Sequence, residues 1–266
     1  MTKSSFVPDP WAALRRNTAA RVALGRAGGS LPTHEVLDFA LAHAAARDAV
    51  HAPLDCEQLS TELRPVGLPV LLLATQAPDR QTYLQRPDLG RRLAEESLAA
   101  LQGFVKRDRP LDISLVVGDG LSAPAAQWQA AAVLMQLVPK LREIGLAVAP
   151  VCVVRHARVA VQDQIGEVLG ARLSVILLGE RPGLGTSQSL SAYLVYGPRI
   201  GRTDAERNCI SNIRAGGFTA EAAASTLLYL ITASLGRQLS GIALKDDRPS
   251  SDHLMSTRAI PGSAGL

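Results

Sequence analysis

Short apolar runs alternate along this chain with longer stretches in which apolar residues recur every three or four positions. Val70 to Leu73, Ile113 to Val117, Leu146 to Val154 and Leu173 to Leu178 are compact and rich in branched residues, which predicts strands buried on both faces. Leu194 to Tyr196 predicts one more. Between them, Asp88 to Phe104, Ala123 to Ile144 and Gln164 to Leu169 carry helical spacing, with Gly170 placed to stop the last. Thr219 to Leu239 predicts a long closing helix capped by Thr219. Strands separated by helices predict an α/β fold, a Rossmann-like, mostly parallel sheet with helices on both faces.

The stretch up to Arg64 reads as helical. Thr33 is the expected N-cap, Glu35 complements the helix dipole, and Val36, Leu37, Ala40, Leu41 and Ala44 fall on one apolar face. The organisation expected is a small helical N-terminal domain over residues 1–64, a Rossmann-like domain over 65–245, and a loose, polar tail over 246–266.

Composition narrows the function classes. Of 266 residues, 47% are hydrophobic and 20% charged, enough to build a core rather than a disordered chain. Aromatics are 4% and the net charge is only +4, with the basic pairs Arg15-Arg16, Arg91-Arg92 and Lys106-Arg107 scattered as solvated faces, so no nucleic-acid partner is expected. Cys56, Cys152 and Cys209 stand far apart without a C-x-x-C pair, which argues against a zinc site or disulfide scaffold and for a reducing compartment. No apolar run approaches the ~18 residues that cross a bilayer, and Met1 to Pro10 lacks a secretory pattern. The expectation is a cytoplasmic protein with no membrane partner.

Several strand-end loops carry candidate chemistry. Leu173 to Leu178 runs straight into Gly179-Glu180-Arg181-Pro182-Gly183-Leu184-Gly185-Thr186-Ser187. Open α/β sheets bind ligands at the carboxyl ends of their strands. Glu180 there either pairs with a cation such as Arg181 or accepts hydrogen bonds from a ligand. The loop lacks the lysine and glycine spacing of a phosphate-transfer loop. Gly118-Asp119-Gly120-Leu121-Ser122-Ala123 fits the G-x-G-x-x-A dinucleotide pattern. The acidic residue that should end the next strand is missing, and a tight turn capped by Asp119 or Ser122 accounts for the segment better.

Arg155-His156-Ala157-Arg158-Val159 is a basic strand-end loop, or an exposed strand tail with salt-bridged arginines. Glu206 to Ile213 predicts a helix carrying Cys209, whose ordinary fate is burial as a small apolar residue. His34, His43, His51, His156 and His253 form no metal motif, and Ser122, Ser187 and Ser189 sit in no nucleophile elbow. No catalytic or metal-ligating residue is assigned. Reactive chemistry is expected to come from a cofactor or another subunit.

Taken together, these segments resemble the small (light) subunit of ethanolamine ammonia-lyase, an adenosylcobalamin-dependent enzyme. The resemblance runs from Trp11 to Ala243 and rests on Arg21-Val22-Ala23-Leu24-Gly25-Arg26-Ala27-Gly28, Leu37-Asp38-Phe39-Ala40-Leu41-Ala42-His43 and Tyr83-Leu84-Gln85-Arg86-Pro87-Asp88-Leu89-Gly90-Arg91-Arg92-Leu93. It continues through Asp119-Gly120-Leu121-Ser122, Asp163-Gln164-Ile165-Gly166-Glu167, Gly179 to Gly185, and Asn208-Cys209-Ile210-Ser211-Asn212-Ile213.

The resemblance implies a partner, the large subunit, a β/α barrel carrying the substrate site, in a higher-order hetero-oligomer with cobalamin between the two subunits. An adenosyl radical there starts the conversion of ethanolamine to acetaldehyde and ammonia, in ethanolamine catabolism. It implies cobalamin contacts at Val159, Glu180 and Cys209, and no hydrogen abstraction by the small subunit itself. Some family members carry an extended amino-terminal segment associated with a bacterial microcompartment. This chain begins a short way before the common region, so free cytosol is at least as good an expectation as a microcompartment. The rival expectations are a stand-alone nicotinamide-dependent oxidoreductase using the Gly118–Ala123 turn, and a non-catalytic cobalamin-binding module.

Overall fold

The computed structural model describes residues 6–7, 9–18, 20–105 and 110–248. Lys106-Arg107 and the expected loose tail from residue 249 onward lie outside the described residues. The chain opens with a two-stranded antiparallel ribbon, β1 (Phe6–Val7) with β2 (Arg26–Ala27), enclosing a 3-10 turn at Ala12–Arg16. Helices α1 (Thr33–His51) and α2 (Cys56–Leu63) follow, then β3 (Val70–Ala74), α3 (Arg80–Gln85), α4 (Glu95–Phe104) and β4 (Ile113–Gly118). The remainder is α5 (Ala123–Glu143), β5 (Val148–Arg155), α6 (Val161–Leu169), β6 (Leu173–Gly179), β7 (Leu190–Tyr196), β8 (Arg207–Ile213) and α7 (Ala220–Arg237).

The main sheet has six strands in the order β3-β5-β4-β6-β7-β8. β3, β5, β4 and β6 are parallel, and β7 and β8 are added antiparallel. The fold is therefore α/β and Rossmann-like, with helices on both faces. One core joins α2, α5 and α7 to the sheet through Leu59, Leu63, Leu134, Leu137, Leu227 and Ile231. The other joins α4 and α6 through Leu101, Val161, Ile165 and Leu169. Every residue of β4 and β6 is buried, as continuous apolar runs in a doubly covered sheet require. Ser122 caps α5 and Thr219 caps α7, each side chain accepting from a backbone N–H three residues on. Gly170, in the left-handed conformation, ends α6.

Three expectations are corrected. Thr33 is the first helical residue of α1; Pro32 holds the N-cap position and offers no side-chain acceptor. The stretch from Asp88 divides into a 3-10 turn (Leu89–Arg91) and the separate α4, because Arg92 to Ala94 runs extended beside the end of β3, with Leu93 bridged to Thr75 and the Arg92 carbonyl accepting the Gln76 N–H at 2.9 Å. The apolar face of α1 points outward: Leu41 is 71% exposed, Leu37 62% and Val36 48%. That helix is fixed by its ends instead. Buried Glu35 accepts from Arg15 at 2.7 Å, and the Val50 carbonyl accepts from Arg80 Nε at 2.6 Å.

Candidate functional site

In this sheet the chain leaves β4 toward β5 on one side, while β6 leads to β7 on the other. The switch point, where open sheets usually hold ligands, is thus between the carboxyl ends of β4 and β6. The protein fills it with itself. A Cβ on Gly120 would lie 2.2 Å from the Gly179 carbonyl oxygen, and one on Gly179 would lie 2.0 Å from the Ser122 oxygen. Buried Asp119 takes the backbone N–H of Ala157 at 2.8 Å and Arg80 at 3.1 Å. Burial pushes its carboxyl up, while the Arg80 charge and the Ala157 N–H pull it down. The glycines of the Gly118–Ala123 turn serve packing against β6, and the turn is not a dinucleotide cradle.

Beside the plugged crevice, the sheet face of β7 and β8 is exposed at Cys209 and half-covered at Tyr193. α6 packs mainly on β4 and β6 and reaches β8 through its Asp163, which pairs with Arg207. Tyr193 pairs with Cys209 across β7 and β8, and both lie on the α6 side, opposite the core positions Ala192, Leu194 and Ile210. The expectation of a helix at Cys209 is overturned: Cys209 stands in β8, and it is exposed rather than buried. Ile210 and Ile213, three apart, imitate a helical period. They reach one core because β8 carries a bulge opposite Leu190–Ala192, with Asn212 at φ +61°.

That bulge turns the Asn212 N–H onto Glu180. Glu180 Oε1 accepts it at 2.8 Å and accepts the Ser191 hydroxyl at 2.5 Å. Oε2 takes no hydrogen bond from any described residue. Neither does Arg181 hold Glu180; the carboxylate is oriented by its own sheet. The protein packed around the Cys209 sulfur pushes its thiol up, so it stays protonated at neutral pH. Burial, then the neighbouring Cys209, pushes the Tyr193 phenol up to about 12.

Val159 lies in the loop between β5 and α6. It lines a cavity of about 470 Å³ with Pro87, Arg91, Arg158, Arg202 and Arg207. Arg207 opens β8, two residues before Cys209 and on the same face. Its guanidinium grips Asp163 of α6 through two bonds of 2.7 Å, with both side chains almost fully buried. Val159, Arg207, Cys209, Tyr193, Ser191 and Glu180 therefore follow one another along a single side of the sheet. Of the three sequence-predicted positions, Glu180 and Cys209 lie beside β7 on its α6 side, while Val159 lines the cavity at the Arg207 end of β8. Sequence reasoning gave no site role to Tyr193 or Arg207, read Arg91 as part of a solvated basic pair, and met Arg158 only within the basic loop Arg155–Val159. Tyr83 and Gly90 clamp Arg158, whose guanidinium lies 4.2 Å over the Tyr83 ring.

Fold and surface define a Rossmann-like protein that seals its own switch point and exposes Cys209 on the antiparallel part of its sheet beside it. The family model for the ethanolamine ammonia-lyase light chain (EutC) matches residues 8–245. The chain is 51% identical over 246 residues to an ethanolamine ammonia-lyase small subunit of Azotobacter vinelandii, covering 92% of this chain and 91% of that one. It is 50% identical to that of Pseudomonas fluorescens SBW25 (91% and 88% covered) and 51% identical to that of Ralstonia nicotianae (92% and 91%). The chain belongs to the ethanolamine ammonia-lyase small-subunit family.

Proposed function

We propose that this chain is the smaller half of an ethanolamine ammonia-lyase and completes an adenosylcobalamin site against a large, barrel-fold subunit in a higher-order hetero-oligomer. The observation that carries the reading is the placement of Cys209 and Glu180 on the α6 side of β7 and β8, with Val159 lining the cavity that Arg207 of β8 also lines. When bound, adenosylcobalamin supplies the radical that starts the conversion of ethanolamine to acetaldehyde and ammonia, with the substrate held by the partner.

The residues present suit a corrin ring, whose rim carries many neutral amides. Glu180 offers a fixed acceptor oxygen, with Ser191 and Asn212 keeping the carboxylate from turning away. Tyr193 and protonated Cys209 form a low, weakly polar floor. Val159 adds an apolar edge. Unmet polarity lies alongside: Arg158 Nε and both amide atoms of Gln162 are buried with no hydrogen-bond partner among the described residues.

Arg21 stacks 5.9 Å over Phe39 of α1 and donates to the Leu184 carbonyl at 3.1 Å. This ties α1 to the loop after Glu180 from the side of the helix away from Leu37 and Leu41, and the large subunit covers the exposed residues of α1. Bare apolar surface of this kind marks an interface. Spectral titration of adenosylcobalamin into the purified chain, the large subunit and their mixture tests the proposal. Tight binding by the mixture alone supports it, whereas binding of NAD by the lone chain favours an oxidoreductase. No helix among the described residues is long and apolar enough to cross a membrane.

A further inference from the structure

The cavity beside Val159 has a charge pattern that contact with a neutral corrin rim does not explain. Of its arginines, Arg207 is neutralised by Asp163 and Asp204, and Arg202 by Glu206. Arg91 makes no hydrogen bond or ion pair with any described side chain. Arg158 gives one long bond to the Tyr83 carbonyl, 3.3 Å, and otherwise lies against the Tyr83 ring with its Nε buried and unpartnered. The remaining carboxylate on the wall, Asp204, is engaged with Arg207. Two guanidinium charges are left uncompensated around one hollow, an arrangement that favours an anion.

The backbone adds to it. α6 begins at this cavity with Ala160 as N-cap and no side-chain cap, and the N–H groups of Val159 and Ala160 donate to no described residue. Gly90 fixes the geometry: its carbonyl accepts the Arg158 N–H at 2.8 Å, and its missing side chain lets Arg158 lie flat on Tyr83. The segment Tyr83–Leu93 thus builds one wall of the cavity and supplies Arg91 from it.

We propose that the Arg91–Arg158 cavity is a subsite for a phosphodiester anion, the one in the nucleotide loop of the corrinoid. This rests on the cobalamin reading. A cobalamin carries a single ionised phosphodiester among neutral amides, so it is the one group on the cofactor's periphery that calls for uncompensated guanidinium. The subsite fixes the nucleotide loop beside α6 while Glu180 and Cys209 meet the ring.

The test compares adenosylcobalamin with adenosylcobinamide, which lacks the nucleotide loop and its phosphodiester, by equilibrium binding to the complex with the large subunit. Arg91 is exposed and unpaired, so Arg91→Gln leaves the fold intact; Arg91→Glu reverses the charge. Arg91→Gln is expected to weaken cobalamin binding by about tenfold or more, Arg91→Glu by more again, with cobinamide unchanged. Equal loss for both corrinoids, or none for either, overturns the subsite while leaving the cobalamin reading standing. A wild-type complex that binds neither corrinoid overturns the cobalamin reading itself. Arg91-dependent binding of inorganic phosphate, with both corrinoids treated alike, overturns the assignment in favour of free phosphate.

Discussion

Glu180 Oε1 accepts the backbone N–H of Asn212 at 2.8 Å, tying the loop after β6 to a bulge two strands away. The contact exists because Asn212 adopts a left-handed backbone, which asparagine tolerates better than most residues. It locks one carboxylate oxygen and leaves the other facing the open surface.

Replacing Glu180 with Gln swaps that outward acceptor for a donor while Oε1 keeps Ser191 and Asn212. Glu180→Gln in the two-subunit complex is expected to weaken adenosylcobalamin binding by about 1.5–3 kcal/mol, the range for hydrogen bonds to a charged group. Spectral titration reads the change. An unaltered dissociation constant removes Glu180 from the site.

The plugged crevice makes a stability prediction. A Cβ at position 179 meets the Ser122 oxygen at 2.0 Å and the Asp119 oxygen at 2.5 Å, and both are backbone atoms that cannot swing away. Gly179→Ala should therefore cost about 1–3 kcal/mol or more, read as a lowered urea midpoint of the isolated chain. A midpoint within error of wild type would mean the turn has slack, and a ligand at the switch point would return as an option.

Much of this fold is legible in the sequence, for a physical reason. Strands β4, β5 and β6 are buried on both faces, so their apolar runs are local and continuous, and α6 announces its end with Gly170. β8 is different. It is half-covered, interrupted by a bulge and recruited to the sheet by β7, so Ile210 and Ile213 mimic a helix. The apolar spacing of α1 is visible too, but spacing alone does not say whether the face turns toward this chain's core or away from it. Glu180 and Val159 are legible as strand-end residues, whereas the arginine cavity is not: Arg91, Arg158 and Arg207 come from three separate segments.

The outward face of α1 should be needed for assembly and dispensable for folding. Leu37 and Leu41 are 62% and 71% exposed, so Leu37→Glu with Leu41→Glu removes no core contact. The double variant should keep the wild-type melting temperature while weakening association with the large subunit by about 2 kcal/mol or more if these residues are interface anchors. Co-purification and sedimentation check it. Undiminished association would place the partner elsewhere.

Glu206 gives a pH signature. It accepts from the Thr203 N–H at 2.7 Å and the Thr203 hydroxyl at 3.0 Å and is paired with Arg202, closing a capping box just before β8. The Thr203 N–H, then Arg202, lower its carboxyl to about 2, from an ordinary value of 4.5. Because the folded value lies below the unfolded one, the stabilisation is full above the unfolded value and fades as pH falls toward the folded value. The gap in melting temperature between wild type and Glu206→Gln should thus be constant near neutrality and close between pH 4.5 and about 2. A gap that persists unchanged through that window contradicts the ion-paired capping box.

The most direct measurement is the affinity of the large subunit for adenosylcobalamin with and without this chain, at equal subunit concentrations. A shared site predicts weak binding by either subunit alone and tight binding by the mixture. A large subunit that binds the coenzyme equally well without this chain would contradict the account.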